Sequence, residues 1–184
     1  MFVKTSGIYK SDTSAAAGYS LSDPLVCVLY QQMVCQSLLP EHTLHENKGA
    51  FFKSIYLTLN HIAYSDLAFL SRFTGEPAQV PELGVDLFGG FTELQSQRRP
   101  LDTRLCQWAS KLTTPWLSET LTYVSKVDNR KKTAPHWVLV THLFNHQTHH
   151  RGQLTTLLTQ MGIDLGSTDL PFMPAFDHEA HKQQ

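Results

Sequence analysis

Four of the chain's ten histidines, His142, His146, His149 and His150, fall within nine residues. They are interleaved with Val138, Leu139, Val140, Leu143, Phe144, Leu154, Leu157 and Leu158, a spacing that predicts a helix. At 3.6 residues per turn, His146 and His150 stand one turn apart and only about 40° apart around the axis, so both imidazoles can address one object beside the helix. A divalent metal ion suits that position. Neutral imidazole is a common ligand for zinc and other late divalent metals, and a pair at i, i+4 supplies two nitrogens from one rigid element. The spacing does not choose the pair: His142 and His146 are separated in the same way, and His142 and His149 differ by only about 20° around the axis.

A third ligand is expected from another segment, and His61 is the best placed. It sits in the middle of a wide apolar stripe, Phe51, Phe52, Ile55, Leu59, Ile62, Phe69, Leu70 and Phe73, where a polar ring is costly to bury without a partner. A single mid-helix histidine more commonly bonds a backbone carbonyl or faces water, so His61 gains weight only beside the His-x3-His pairs. His42 and His45 lie in a polar connection, and His178 and His181 in a polar tail; these four are expected to be bystanders.

The elements that must hold these rings follow from the rest of the pattern. Ser22-Asp23-Pro24 signals a helix start, the apolar residues from Leu25 to Leu39 keep helical spacing, and Pro40 stops the run. The stripe around His61 predicts a second helix of about six turns, ending at Thr74-Gly75-Glu76-Pro77. Residues 76–99, with Pro77, Pro81, Gly84, Gly89 and Gly90, read as a long connection. A third helix is expected from Leu101-Asp102-Thr103, with Asp102 or Thr103 favouring its N-terminal dipole, and Pro115 as its end. Leu121–Ser125 is β-prone and Asp128-Asn129 is turn chemistry, which predicts a small hairpin. Ala134-Pro135 then opens the histidine helix, with Gly162 closing it after Met161. The expected architecture is therefore all-α, a four-helix bundle with a small β-hairpin before the last long helix and a site in its interior.

Size and composition narrow the function. At 184 residues the chain is expected to be one domain spanning 1–184, with a loose lead-in over 1–20 and a polar tail over 175–184. The net charge of −1, and the lack of any cationic cluster beyond Arg130-Lys131-Lys132, argue against nucleic acid as a partner. No run of eighteen apolar residues is present, so no membrane partner is expected. Cys27, Cys35 and Cys106 are odd in number and contain no C-x-x-C pair, which suggests free thiols in the cytoplasm.

Two blocks carry a family resemblance: Phe51-Phe-Lys-Ser-Ile-Tyr-Leu-Thr-Leu-Asn-His-Ile-Ala-Tyr-Ser-Asp66 and His142-Leu-Phe-Asn-His-Gln-Thr-His-His-Arg-Gly-Gln153. With Met161-Gly162 and Thr168-Asp169-Leu170 they make the chain resemble the DinB family of bundle proteins, described as metal-dependent enzymes and related to bacterial low-molecular-weight-thiol S-transferases. The likeness extends from the first helix to about Met173. By position, it implies that His61 is the lone ligand histidine and that His146 and His150 are the ligating pair. It also implies that His149 is adjacent to the site and that His142 supports it. Gly152, in the matching Arg151-Gly152-Gln153, is expected to allow close helix approach, and Asp66, Asn60 and Asn145 to act through hydrogen bonds.

Three neutral imidazoles would leave a divalent ion, zinc or nickel by expectation, with a position for a small-molecule ligand. The resemblance inclines the reaction toward attack by a thiol such as glutathione, or by water, on a small electrophile. Gln147 stands where an H-E-x-x-H peptidase carries glutamate, which disfavours peptide hydrolysis. The alternative is a non-catalytic metal-binding domain of stress response or ligand binding, which a fourth protein ligand such as His149 or Asp66 would favour. A homodimer packed through helix faces is compatible with either reading.

Overall fold

The computed structural model describes residues 39–78 and 80–165. The helix expected before Pro40 and the tail after Leu165 lie outside them. Within them the order is α1 (Glu41–His45), α2 (Ile55–Thr74), α3 (Phe91–Ala109), α4 (Thr114–Ser118), β1 (Thr120–Val124), β2 (Lys131–Pro135) and α5 (His136–Gln160). The class is all-α with one two-stranded antiparallel sheet, as the sequence predicts.

The ends of α2 and α5 are set by local chemistry. Ser54 caps α2, its hydroxyl oxygen accepting from the Leu57 N–H at 3.1 Å, and Gly75 terminates it at φ +74°. The sequence stripe started at Phe51; the structure instead places Phe51 and Phe52 in a turn ahead of the cap, where Lys53 takes φ +65°. At the far end of α5, Gly162 adopts φ +80°, the Ile163 N–H bonds the Leu158 carbonyl at 3.0 Å, and the Gly162 N–H bonds that of Thr159 at 3.0 Å. This is the paired-bond glycine stop, which satisfies carbonyls the helix itself cannot.

Two apolar clusters make the core. One joins Ile55, Leu59 and Ile62 of α2 to Phe91 and Leu94 of α3 and to Leu154, Leu157 and Leu158 of α5. The other joins Ala63, Phe69, Leu70 and Phe73 to Leu101 and Leu105 and to Leu139, Val140 and Leu143. The pairing fixes directions: α5 runs antiparallel to α2, while α3 runs parallel to it. A parallel neighbour requires the chain to travel back along the bundle, and the segment after Gly75 does so pinned to one face of α2. The Ser71 hydroxyl donates to the Glu76 carbonyl at 2.6 Å, and that of Tyr64 to the Pro81 carbonyl at 3.0 Å. The Asn60 side chain accepts from the Leu87 and Phe88 N–H groups at 3.0 and 3.3 Å, and the Tyr56 hydroxyl donates to the Phe88 carbonyl.

The third helix departs from the sequence expectation. It starts at Phe91, ten residues before the predicted Leu101, and Pro100 lies inside it. A proline there removes one backbone hydrogen bond, but buried ion pairs made by Arg98 and Asp102 hold the helix on both sides of it. Asp102 is thus a mid-helix ion-pair partner, not an N-terminal residue. The helix ends at Ala109, and Pro115 instead opens the one-turn α4, capped by Thr113. The hairpin forms as predicted, pairing Thr120 with Pro135 through Val124 with Lys131, and Asn129 takes φ +52° in its turn.

Gly152 also differs from expectation. It is exposed on α5, and a Cβ built there meets nothing within 4 Å, so it mediates no close helix approach. Gly152→Ala should therefore stabilise the fold by about 0.5–1 kcal/mol through helix propensity alone, read as a higher urea midpoint at unchanged slope. A lower midpoint would show that the glycine is needed in the fold.

Candidate metal centre

Between the two apolar clusters lies a polar layer contributed by all three long helices. It holds His61 and Asp66 from α2, Arg98 and Asp102 from α3, and His146, Gln147, His150 and Arg151 from α5. The three histidines singled out by sequence form one cluster: the His61 and His146 Nε2 atoms are 2.9 Å apart, and the His146 and His150 Nε2 atoms 3.1 Å. Among the described residues these three alone bring ligand atoms from three His, Cys, Asp or Glu side chains within 4.8 Å of one another. His150 is buried; His61 and His146 are half-buried.

The protons cannot all be satisfied within this cluster. The His150 Nδ1 lies 2.8 Å from the Gln153 side-chain oxygen, which can only accept, so the proton resides on Nδ1 and the Nε2 lone pair faces inward. The His146 Nε2 has room for one hydrogen yet faces two ring nitrogens, and its Nδ1 is buried with no hydrogen-bond partner among the described residues. Nitrogens sharing a tetrahedral ion at about 2.0–2.1 Å would sit roughly 3.3 Å apart. The two separations from His146, 2.9 and 3.1 Å, lie near that value, all three ligand atoms fall within 4.8 Å of one another, and inward-facing lone pairs are what a cation accommodates, so the donor set fits a divalent ion.

The surrounding residues sort the other candidates. His149 is exposed, and its Nε2 accepts from the Gln153 amide at 3.1 Å, so Gln153 bridges His150 and His149. His142 is also exposed, its ring 5.7 Å from that of His146 and 5.3 Å from Phe69. Phe52, which sequence reasoning treated as part of a helical stripe, stacks on His61 at 4.0 Å and meets His150 edge-on at 5.3 Å. No periodicity could reveal that contact, because it arises from the turn before α2.

Asp66 does not join the histidines. Its two oxygens accept from Arg98 Nη1 at 2.5 Å and from the Gln147 amide at 2.7 Å, while Arg98 also pairs with Asp102, through Nε at 2.8 Å. Arg98 is 4% exposed and Asp66 is 0% exposed, so these are buried charges that must be matched. Asn60 holds the returning segment and Asn145 is exposed; neither of them bonds a histidine. Sequence reading missed Arg98 altogether, and named Gln147 and Gln153 without their supporting roles.

Burial keeps the cluster neutral. It pushes the His61 pKa from 6.5 down to about 4 and that of His146 from 6.5 down to about 3, with the neighbouring His150 adding to both. The His150 pKa is also lowered by burial, against the opposing effect of the hydrogen bond it donates to Gln153.

The fold and its histidine cluster together define a helical-bundle protein with a candidate metal centre. The model of the DinB family matches residues 31–182, and the chain belongs to that family. Among solved structures, that of a DinB-like protein from Bacillus cereus ATCC 10987 superposes with a TM-score of 0.53 at 18% identity, covering 77% of this chain and 90% of that one. This similarity supports the fold. No curated protein sequence matches the chain.

The depressed histidine pKa values have a consequence for stability. An unfolded chain takes up these protons near 6.5, whereas the folded, metal-free protein resists them to about 4 or below. The unfolded state then binds more protons, so stability is full above 6.5 and falls as pH drops toward 4. Urea midpoints of metal-free protein between pH 7 and 5 should decline, and His61→Asn should flatten that decline. An equal slope in both proteins would contradict the assignment.

Proposed function

We propose that His61, His146 and His150 hold one divalent metal ion, zinc or nickel, through their Nε2 atoms. The site is further proposed to serve attack by a low-molecular-weight thiol such as glutathione, or by water, on a small electrophile, with the thiol preferred. The observation that carries this reading is the convergence of three ring nitrogens from two helices, without a fourth His, Cys, Asp or Glu among the described residues. His149 and Asp66, whose ligation would have favoured a closed structural site, are engaged by Gln153 and by Arg98 with Gln147. A divalent ion held there would lower the pKa of a thiol or of water enough to keep it deprotonated near neutral pH.

The chain's own residues supply positioning and exclusion of solvent. Gln153 keeps the His150 proton on Nδ1, directing the Nε2 lone pair inward. Phe52 covers one side of the His61 and His150 rings. Gln147 carries no acid–base group, and its amide is bonded to Asp66, so the position next to His146 offers no general base for activating water. A thiol, more acidic than water, depends less on such a base, which is why thiol transfer is preferred over hydrolysis.

Purified, untagged protein should contain about one equivalent of metal, and His61→Ala and His150→Ala should each lose most of it while remaining helical. The zinc-loaded protein should also consume glutathione in the presence of alkylating electrophiles, seen as loss of free thiol. Full metal content in both variants would refute the ligand set; a metal-replete protein inert toward a panel of thiols and electrophiles would refute the transfer chemistry.

A further inference from the structure

Arg72 lies outside the cluster but on the same side of α2 as His61. Eleven residues separate them, which places them about 20° apart around the axis. Its guanidinium carbon sits 4.8 Å from the Phe69 ring centre and 4.8 Å from that of Tyr123 on β1, between two aromatic rings. Among the described residues no carboxylate comes within ion-pair distance of it: the pairs formed there use Arg98, Arg104, Lys48, Lys132 and His45. Burial is substantial enough to lower the Arg72 pKa, so this cation is partly desolvated as well as lacking a carboxylate partner among the described residues. Lys126, also without an acidic partner among the described residues, adds a second positive charge 6.0 Å from the Tyr64 ring.

A continuous row of rings connects this cation to the histidines. Phe69, against which Arg72 stacks, lies 5.3 Å from His142, and His142 lies 5.7 Å from His146. Stacking occupies the faces of a guanidinium and leaves its edge, with the N–H donors, available to a planar anion.

We propose that Arg72 binds the carboxylate of a ligand whose thiol end lies at the histidine cluster, so that the two positions select a thiol carrying a remote carboxylate. The inference rests on the metal and thiol reading above and adds Arg72 as the residue that reads the ligand's carboxylate. Because the guanidinium folds back over Phe69, eight residues from His61, the two ends lie on the order of 12 Å apart along the helix. A metal–sulfur bond takes up about 2.3 Å and a charged hydrogen bond about 2.8 Å. The remaining ~7 Å is the length of two extended residues at about 3.3–3.6 Å each, which describes a di- or tripeptide-sized thiol.

Glutathione and its diethyl ester test this, because esterification removes the carboxylates and keeps the thiol. Calorimetric titration of full-length, zinc-loaded protein should show glutathione binding about ten-fold or more tightly than the ester. Arg72→Gln should abolish that preference by weakening glutathione alone, while Arg72→Lys should keep part of it. A structural bracing of the hairpin by Arg72 would shift both ligands together. Equal affinities in the native protein, or an undiminished preference in Arg72→Gln, would overturn the proposal. Zinc content of the same samples separates the two readings: native protein that holds zinc but does not discriminate loses only the carboxylate site, whereas native protein that takes up no zinc loses the metal centre on which it rests.

Discussion

The buried guanidinium of Arg98, shared between Asp66 of α2 and Asp102 of its own helix, is the constraint on which the rest of the structure depends. Charges this far from water are tolerated only when matched, and removing one partner of such a pair typically costs about 3–5 kcal/mol. Asp66 also accepts from Gln147, so a single carboxylate fixes α3 and α5 against α2. Apolar surfaces tolerate sliding, whereas this arrangement does not: a one-turn shift of about 5.4 Å would strand each charge. The histidine cluster inherits its geometry from that register, because Gln147 directly follows His146 and Asp66 lies just over one turn beyond His61.

The same layer explains why the apolar core is split. Leucines and phenylalanines pack above and below it, and the polar slab between them contains both the ion-pair network and the three imidazoles. The network pairs its charges, Arg98 with Asp66 and with Asp102. The imidazoles have no such counterpart, since their inward nitrogens face one another and, among the described residues, the buried His146 Nδ1 has no partner. Two polar groups in one layer therefore have different characters: one closed and structural, one poised for a cation.

Much of this was legible in the sequence, and the reasons for the gaps are physical. The interleaving of His146 and His150 with leucines specifies both a helix and a pair of rings on one side of it; Gly162 marks its end, and Asp128-Asn129 the hairpin turn. Choosing His61, His146 and His150 among several geometrically equivalent sets required the family resemblance, because helical spacing alone left His142 open. The start of α3 was placed ten residues late because the prolines and glycines from Pro77 to Gly90 extend the reading of a connection to Arg99, and only a tertiary ion pair reveals that Arg98 belongs inside a helix. The length of the connection after Gly75 was correctly seen as unusual, but its cause, two parallel helices joined by a segment pinned along α2, lies in the topology. Phe52 against His61 and Gln153 beside His150 depend on side-chain placement that no periodicity encodes.

The central claim is that rings from two distant segments share one ion, and X-ray absorption at the zinc edge of protein purified without added thiol addresses it most directly. The account predicts three imidazole nitrogens at about 2.0–2.1 Å with one further light-atom ligand. A shell containing cysteine sulfur, or one with fewer than three imidazoles, would contradict it.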